Sequence, residues 1–165
     1  MIKFNVETLR ALLARVEAAN GSDRELDLAI AGALVPDVIC LRYNEVKDKN
    51  EAFTHWEYTA SIDAAVALIE RVLPGWWWKF GTCHLSDDAC IAPDYSSPIN
   101  GERLAREFPL PEQRSQQMMD ETGSWFGPLD GGFDIDRCPS GNVPLALIEA
   151  LLTALIHIAG GRAND

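Results

Sequence analysis

Between Tyr58 and Phe80 the apolar positions recur first with a helical period and then with a strand-like one. At 100° per residue, Ile62, Ala65, Val66, Leu68, Ile69, Val72 and Leu73 share one face, with Asp63, Glu70 and Arg71 opposite. Ser61 stands where a side-chain oxygen caps the free N–H groups of a first turn, and Asp63 where the helix dipole favours an anion. Pro74 stops the helix, Gly75 relaxes the corner, and the chain enters Trp76-Trp77-Trp78. On a strand, Trp76, Trp78, Phe80 and Thr82 fall on one face and Trp77, Lys79, Gly81 and Cys83 on the other. The first face is the more apolar and is expected in the core. Trp77 is then either a second core anchor, if helices coat both faces, or a partly exposed aromatic of the kind that partner surfaces favour.

The same reading extends in both directions. Asn5 is placed to cap a helix from about Val6 to Ala19, with Val6, Leu9, Leu12, Leu13 and Val16 as its buried stripe. Asn20-Gly21 ends it, and Ser22 to Glu25 has the form of a capping box that opens a second helix to about Leu34. Its expected apolar face is Leu26, Ala29, Ile30, Ala33 and Leu34. Val38 to Val46 reads as an edge strand, and Lys47 to Phe53 as a charged loop. After the tryptophan strand, Leu85 to Asp88 carries a turn signal and Ala89 to Ala92 returns as a strand before Pro93. From Asp94 to Gly132 prolines and glycines interrupt every period, so 94–132 reads as an irregular acidic insertion with a turn or two of helix at Glu102 to Glu107. Phe133 to Arg137 alternates as a third strand. Pro144 opens a last helix to about Ala159, apolar all round except for the line Glu149, Thr153, His157.

Three of these segments carry a resemblance. YTASIDAAVAL followed by LPGWWW (58–78), LLARVEAANGSDRELDLAI (Leu12 to Ile30) and VPLALIEALLTAL (Val143 to Leu155) are similar, in that order, to the phage ABA-sandwich domain family. They cover about a third of the chain. Val143 stands where the family has a Thr before the Pro, and the region from Tyr95 to Arg137 is longer than the family core. The resemblance implies a layered α-β-α sandwich and a phage or prophage setting; it brings no catalytic residues with it.

Composition sets limits on function. At 165 residues with 47% hydrophobic residues, a single domain over 1–165 with a real core is expected. No run of about 18 apolar residues is free of charge, and the start has no signal-like apolar core, so the expectation is a soluble, cytoplasmic protein of a bacterial host. The formal net charge is −11, and Cys83 to Arg137 holds eleven acidic residues against four arginines. Such a chain is repelled by phosphate backbones, so no nucleic-acid partner is expected; solubility, or docking on a basic partner, explains the charge instead. A helix-turn-helix reading of the first two helices meets the same objection, because Asp23, Glu25 and Asp27 crowd the end that would face the bases, with Arg24 alone against them.

Candidate chemistry is sparse. Cys83, His84, Asp87, Asp88 and Cys90 crowd one hairpin and Cys138 could approach, but six residues separate Cys83 from Cys90 and no CxxC pair occurs. Ordinary thiols facing each other across the hairpin, or a disulfide, explain them without a metal; Cys40 reads as core. Asp120, Asp130, Asp134 and Asp136 match no calcium-loop spacing. Glu149 and His157 lie about 12 Å apart along a helix, too far to exchange a proton directly. No nucleophile elbow, P-loop, zinc-protease or dinucleotide-binding motif is present. The sequence therefore leaves an enzymatic role open but points away from it. No metal and no cofactor are expected, nor a membrane partner.

The resulting expectation is an α/β (α+β) fold with a small, mainly antiparallel sheet of three to four strands and about four helices. Its function is that of a phage-derived accessory protein acting by protein–protein contact, with Trp77, Asp87 and Asp88 as candidate partner-binding residues. The alternatives are a small-molecule or metal-binding enzyme with a site in 83–137, and a structural or assembly component.

Overall fold

The computed structural model describes residues 4–82, 87–108, 133–137 and 142–161. Their elements, in chain order, are helices α1 (Val6–Ala18) and α2 (Arg24–Leu34), a 3-10 turn (Pro36–Val38), strands β1 (Cys40–Asn44) and β2 (Lys49–Phe53), α3 (Ile62–Val72), β3 (Trp76–Thr82), β4 (Asp87–Pro93), α4 (Gly101–Glu107), β5 (Phe133–Arg137) and α5 (Val143–Gly161). The fold is mixed α/β, and among the described residues there are two antiparallel sheets, one of two strands (β1-β2) and one of three (β3-β4-β5).

Local chemistry sets the helix starts. Asn5 accepts from the N–H groups of Glu7 and Thr8 at 2.9 and 3.2 Å, and Ser61 from Ala64 at 3.2 Å. The second helix starts one residue later than the capping-box reading: Asp23, not Ser22, is the cap, accepting from the Leu26 N–H at 2.9 Å. A carboxylate there also meets the helix dipole favourably. Asn142 accepts from the Leu145 N–H at 2.9 Å and opens α5.

The last helix is the hub. It packs on α1, on α3 and on all three strands of the larger sheet, and Leu145 to Ile148 and Ala150 to Leu152 are fully buried. By length and composition alone Val143–Gly160 could cross a bilayer, but 61% of that stretch is buried inside the protein. Its apolar perimeter is explained by having neighbours on every side. Helix α3 buries Ala65, Leu68 and Ile69 of its predicted stripe, and Leu73 just past the helix end, chiefly against α5; Ile62, Val66 and Val72 of that stripe are partly buried, and Ala64, not expected there, is buried too.

In the larger sheet, Trp76 opposes Pro93, Trp77 opposes Ala92 and Lys79 opposes Cys90. Cover fades along β3. Trp76 is buried in the core, Trp78 is half-buried against it, and Phe80, stacked on Trp78 at 6.0 Å, is exposed. The whole face was expected in the core; Trp76 is there, Trp78 is partly covered and Phe80 is not.

Two sequence expectations fail in the first half. Lys49–Phe53 is a strand, not a loop, and pairs with β1 from Cys40↔Phe53 to Asn44↔Lys49. Cys40, expected in the core, is exposed on that hairpin. Neither strand buries a residue, so the apolar alternation by which strands are recognised was never imposed on them.

Candidate functional site

Three features stand out, and the first is a cavity of about 510 Å³ whose lining includes Phe4, Leu34, Val72, Trp76, Phe108 and Ile158. It is built around the corner that ends α3. Gly75 has φ +89°, and a Cβ there would come within 2.9 Å of Asn100 Cβ, so glycine is required twice over. Asp94 donates to the Gly75 carbonyl at 3.2 Å, which holds the corner against the end of β4. Helix α4 forms the adjoining wall. It approaches so closely that a Cβ on Gly101 would lie 2.4 Å from the Tyr95 carbonyl oxygen. Trp76 and Phe108 meet edge to face at 5.3 Å, and the Tyr95 hydroxyl donates to the Phe108 carbonyl at 2.6 Å. Burial raises the Tyr95 pKa above its ordinary value.

Four charged side chains stand on the cavity wall in two ion pairs: Arg71 with Asp37, and Arg103 with Glu107 at 2.7 Å. Arg103 also donates to the Pro74 carbonyl at 2.7 Å, which fastens α4 to the corner. All four are about one-third exposed or more, so each pair contributes little to stability. Their consequence is positional: two guanidinium groups are held at the edge of an apolar hollow.

The second feature is a polar tie that sequence reasoning missed. Asp27, assigned to an exposed acidic helix end, is 0% exposed. It accepts from the Thr59 N–H at 2.8 Å and from Arg24 at 3.0 Å. Arg24 reaches on to the carbonyls of Trp56 and Thr54. Thr59 in turn accepts from the Asp23 N–H at 2.8 Å. Burying a carboxylate is tolerable only with such partners, and here they join the start of α2 to the approach to α3. The buried stripe of α2 accordingly runs through Leu26, Asp27, Ile30, Ala31 and Leu34 rather than Ala29 and Ala33. The one basic residue of α2 is spent internally. The signal in the sequence was weak, since Asp27 and Thr59 are 32 residues apart.

The third feature is the β1-β2 hairpin. Leu41 is 71% exposed, Tyr43 54% and Val46, at the tip, 95%. Leu41 and Tyr43 lie two apart and so share a face, opposite Ala52 and Asn50. The turn is heavily tied. Asn44 accepts from the N–H groups of Val46 and Lys47 at 3.1 and 3.2 Å and donates to Glu51 at 2.8 Å. Lys47 pairs with Glu51 at 2.8 Å, and Asp48, at φ +48°, accepts from the Tyr43 hydroxyl. That bond raises the Tyr43 pKa, and the Lys47 contact lowers that of Glu51.

Of the residues singled out from sequence, Trp77 is half-buried, on a face where Cys90 and Ala92 are buried. Asp87 and Asp88 begin β4, opposite Thr82 and Gly81; their side chains lie outside the described residues. The sheet places Cys90 opposite Lys79 and Asp134; its expected facing of Cys83 rests on a residue outside those described. Cys83, His84, Cys138, Asp120 and Asp130 lie outside the described residues, as does 109–132 of the acidic insertion. Among the described residues no group of three His, Cys, Asp or Glu side chains is placed to hold a metal. No family model, no curated protein and no solved structure matches the chain.

Proposed function

We propose that this is a phage- or prophage-derived accessory protein that acts by protein–protein contact, and that the β1-β2 hairpin is its contact surface. The observation that carries the reading is a rigidly tied hairpin presenting Leu41, Tyr43 and Val46 to solvent, in a sheet that no third strand completes among the described residues. A two-stranded hairpin is at best marginally stable alone, and exposed apolar groups at a strand edge suit a partner that adds a strand of its own. Charge agrees. Cys40 to Phe53 holds three basic and three acidic residues in a chain of net charge −11, so this is a region where another acidic protein can approach without repulsion.

Two finer expectations belong with this reading. One is the layered α-β-α sandwich that the resemblance implies, supported by α5 lying on β3, β4 and β5. The other is a cytoplasmic setting in a bacterial host, free of nucleic acid and membrane. Trp77 is a secondary contact in the same proposal.

The test is capture from phage-bearing host lysate with the wild-type chain and with Leu41→Glu/Tyr43→Glu side by side, followed by reconstitution of any enriched protein in purified form. A protein that binds the wild type directly and loses at least about tenfold in affinity to the double variant supports the hairpin. Equal binding to both chains removes the hairpin from the proposal.

A further inference from the structure

The cavity beside the Pro74-Gly75 corner has a chemistry that protein contact through the hairpin does not use. Its volume of about 510 Å³ falls within the range that small-molecule sites occupy, about 300 to 1,000 Å³. Its body is hydrocarbon and aromatic: Leu34, Val72 and Ile158 with the rings of Trp76 and Phe108. A wholly polar ligand would lose its hydration there and find nothing in exchange. The charged side chains of the lining are Asp37, Arg71, Arg103 and Glu107, which favours a ligand with one polar end over a plain hydrocarbon.

The sign of that end follows from valence. Asp37 and Glu107 are acceptors already engaged by arginine, and a ligand cation would have to compete with a guanidinium for either. An arginine presents five N–H donors. Arg71 is seen to spend one nitrogen on Asp37, and Arg103 its two terminal nitrogens on Glu107, the Pro74 carbonyl and Asn100. Donors remain on both guanidinium groups with the ion pairs intact. A carboxylate presents two oxygens to take them, in a charge-assisted contact stronger than a neutral one. The rigid floor adds to the case. Gly75 and Gly101, next to the lining residues Pro74, Trp76 and Arg103, permit close backbone approaches, and Arg103 ties α4 to the Pro74 carbonyl, so the wall is built by the fold and a ligand pays little to form it.

We propose that this cavity binds a small amphipathic monocarboxylate, its aliphatic or aromatic body against Trp76 and Phe108 and its carboxylate on Arg71 and Arg103. Titration calorimetry on the full chain with octanoate and with 1-octanol, which differ in the head group alone, tests it, with the summed tryptophan emission as a second readout. Octanoate is expected to bind about tenfold or more tightly than the alcohol, the margin of one charge-assisted contact. Arg71→Gln/Arg103→Gln is expected to erase that preference while the alcohol still binds. Val72→Phe, which fills the hollow without touching either arginine, is expected to weaken both ligands together. Absence of octanoate binding at millimolar concentration overturns the site. Equal binding of acid and alcohol, or a preference that survives the double variant, overturns the carboxylate recognition. The acid–alcohol comparison on the unmodified chain decides the matter even if a variant fails to fold.

Discussion

Single residues in this chain carry weight through partners distant in sequence. Asp27 is covered completely and takes its hydrogen bonds from Thr59 and Arg24. Replacing it by Ala leaves the Thr59 N–H without that acceptor and takes away the nearer of the two carboxylates that face Arg24, Glu57 remaining at 3.6 Å. Because Arg24 is about half exposed, solvent screens much of its share, and the expected cost is about 2–3 kcal/mol, set mainly by the orphaned buried donor. Urea unfolding should show this as a lower midpoint at unchanged slope; a loss under about 0.5 kcal/mol would mean that the tie is ornamental. The tryptophans give a graded counterpart. Trp76 is buried against Phe108 and the core, so Trp76→Ala should cost about 3–5 kcal/mol. Trp78 lies on the same strand face but is only half covered, and its deletion should cost clearly less. Equal losses at the two positions would contradict the fading cover along β3.

At the scale of elements, what could be read from sequence was what the core imposes. Ser61 caps α3, Asn5 caps α1, the Pro74-Gly75 corner turns the chain, and the alternation of Phe133–Arg137 is a strand. At both helices local chemistry and the burial of the apolar face point the same way. The β1-β2 hairpin was half missed for the converse reason. Its residues face solvent on both sides, so no period marks β2, and the turn is held by side-chain bonds from Asn44 and by Asp48 in a left-handed conformation. The candidate surfaces were harder still. The cavity draws on residues near positions 4, 35, 72, 105 and 156, which no linear pattern links. The hairpin's independence has a measurable consequence. Asn44→Ala removes the two turn bonds and the Glu51 contact while touching nothing in the core. Hydrogen exchange should then show the amides of 40–53 losing protection, with global stability changed by less than about 0.5 kcal/mol. A large global loss would show that the hairpin is integral to the core.

For the whole molecule, the decisive arrangement is one apolar helix packed against α1, α3 and the three-stranded sheet, with Tyr58 buried and Tyr95 partly buried. Tyr58 precedes α3, stacks on Trp56 at 6.2 Å and is buried. Burial, with smaller opposing and reinforcing effects of Arg71, Asp27 and Asp37, pushes its pKa from 10.0 up to about 12. A phenol whose folded pKa is raised is neutral in both states below pH 10, so its contribution to stability is fully present there. Between pH 10 and about 12 the unfolded chain releases the proton and the folded chain retains it. The unfolded state then binds fewer protons, and stability falls with rising pH. Over that window Tyr58 should cost the fold roughly 3 kcal/mol, from a shift of about two units. Tyr95 is raised by burial as well and adds to the slope. Alkaline conditions also neutralise lysines and increase self-repulsion in a chain already at −11, so the wild-type curve alone does not isolate the phenol. The difference between wild type and Tyr58→Phe does, because the substitution keeps the ring and removes the titrating group. Urea midpoints measured from pH 8 to pH 12 should run parallel up to pH 10 and then diverge, with the variant retaining more stability at the alkaline end. Curves that stay parallel to pH 12 would mean that Tyr58 ionises in the folded protein as it does in water, and that the cover over the approach to α3 is open to solvent.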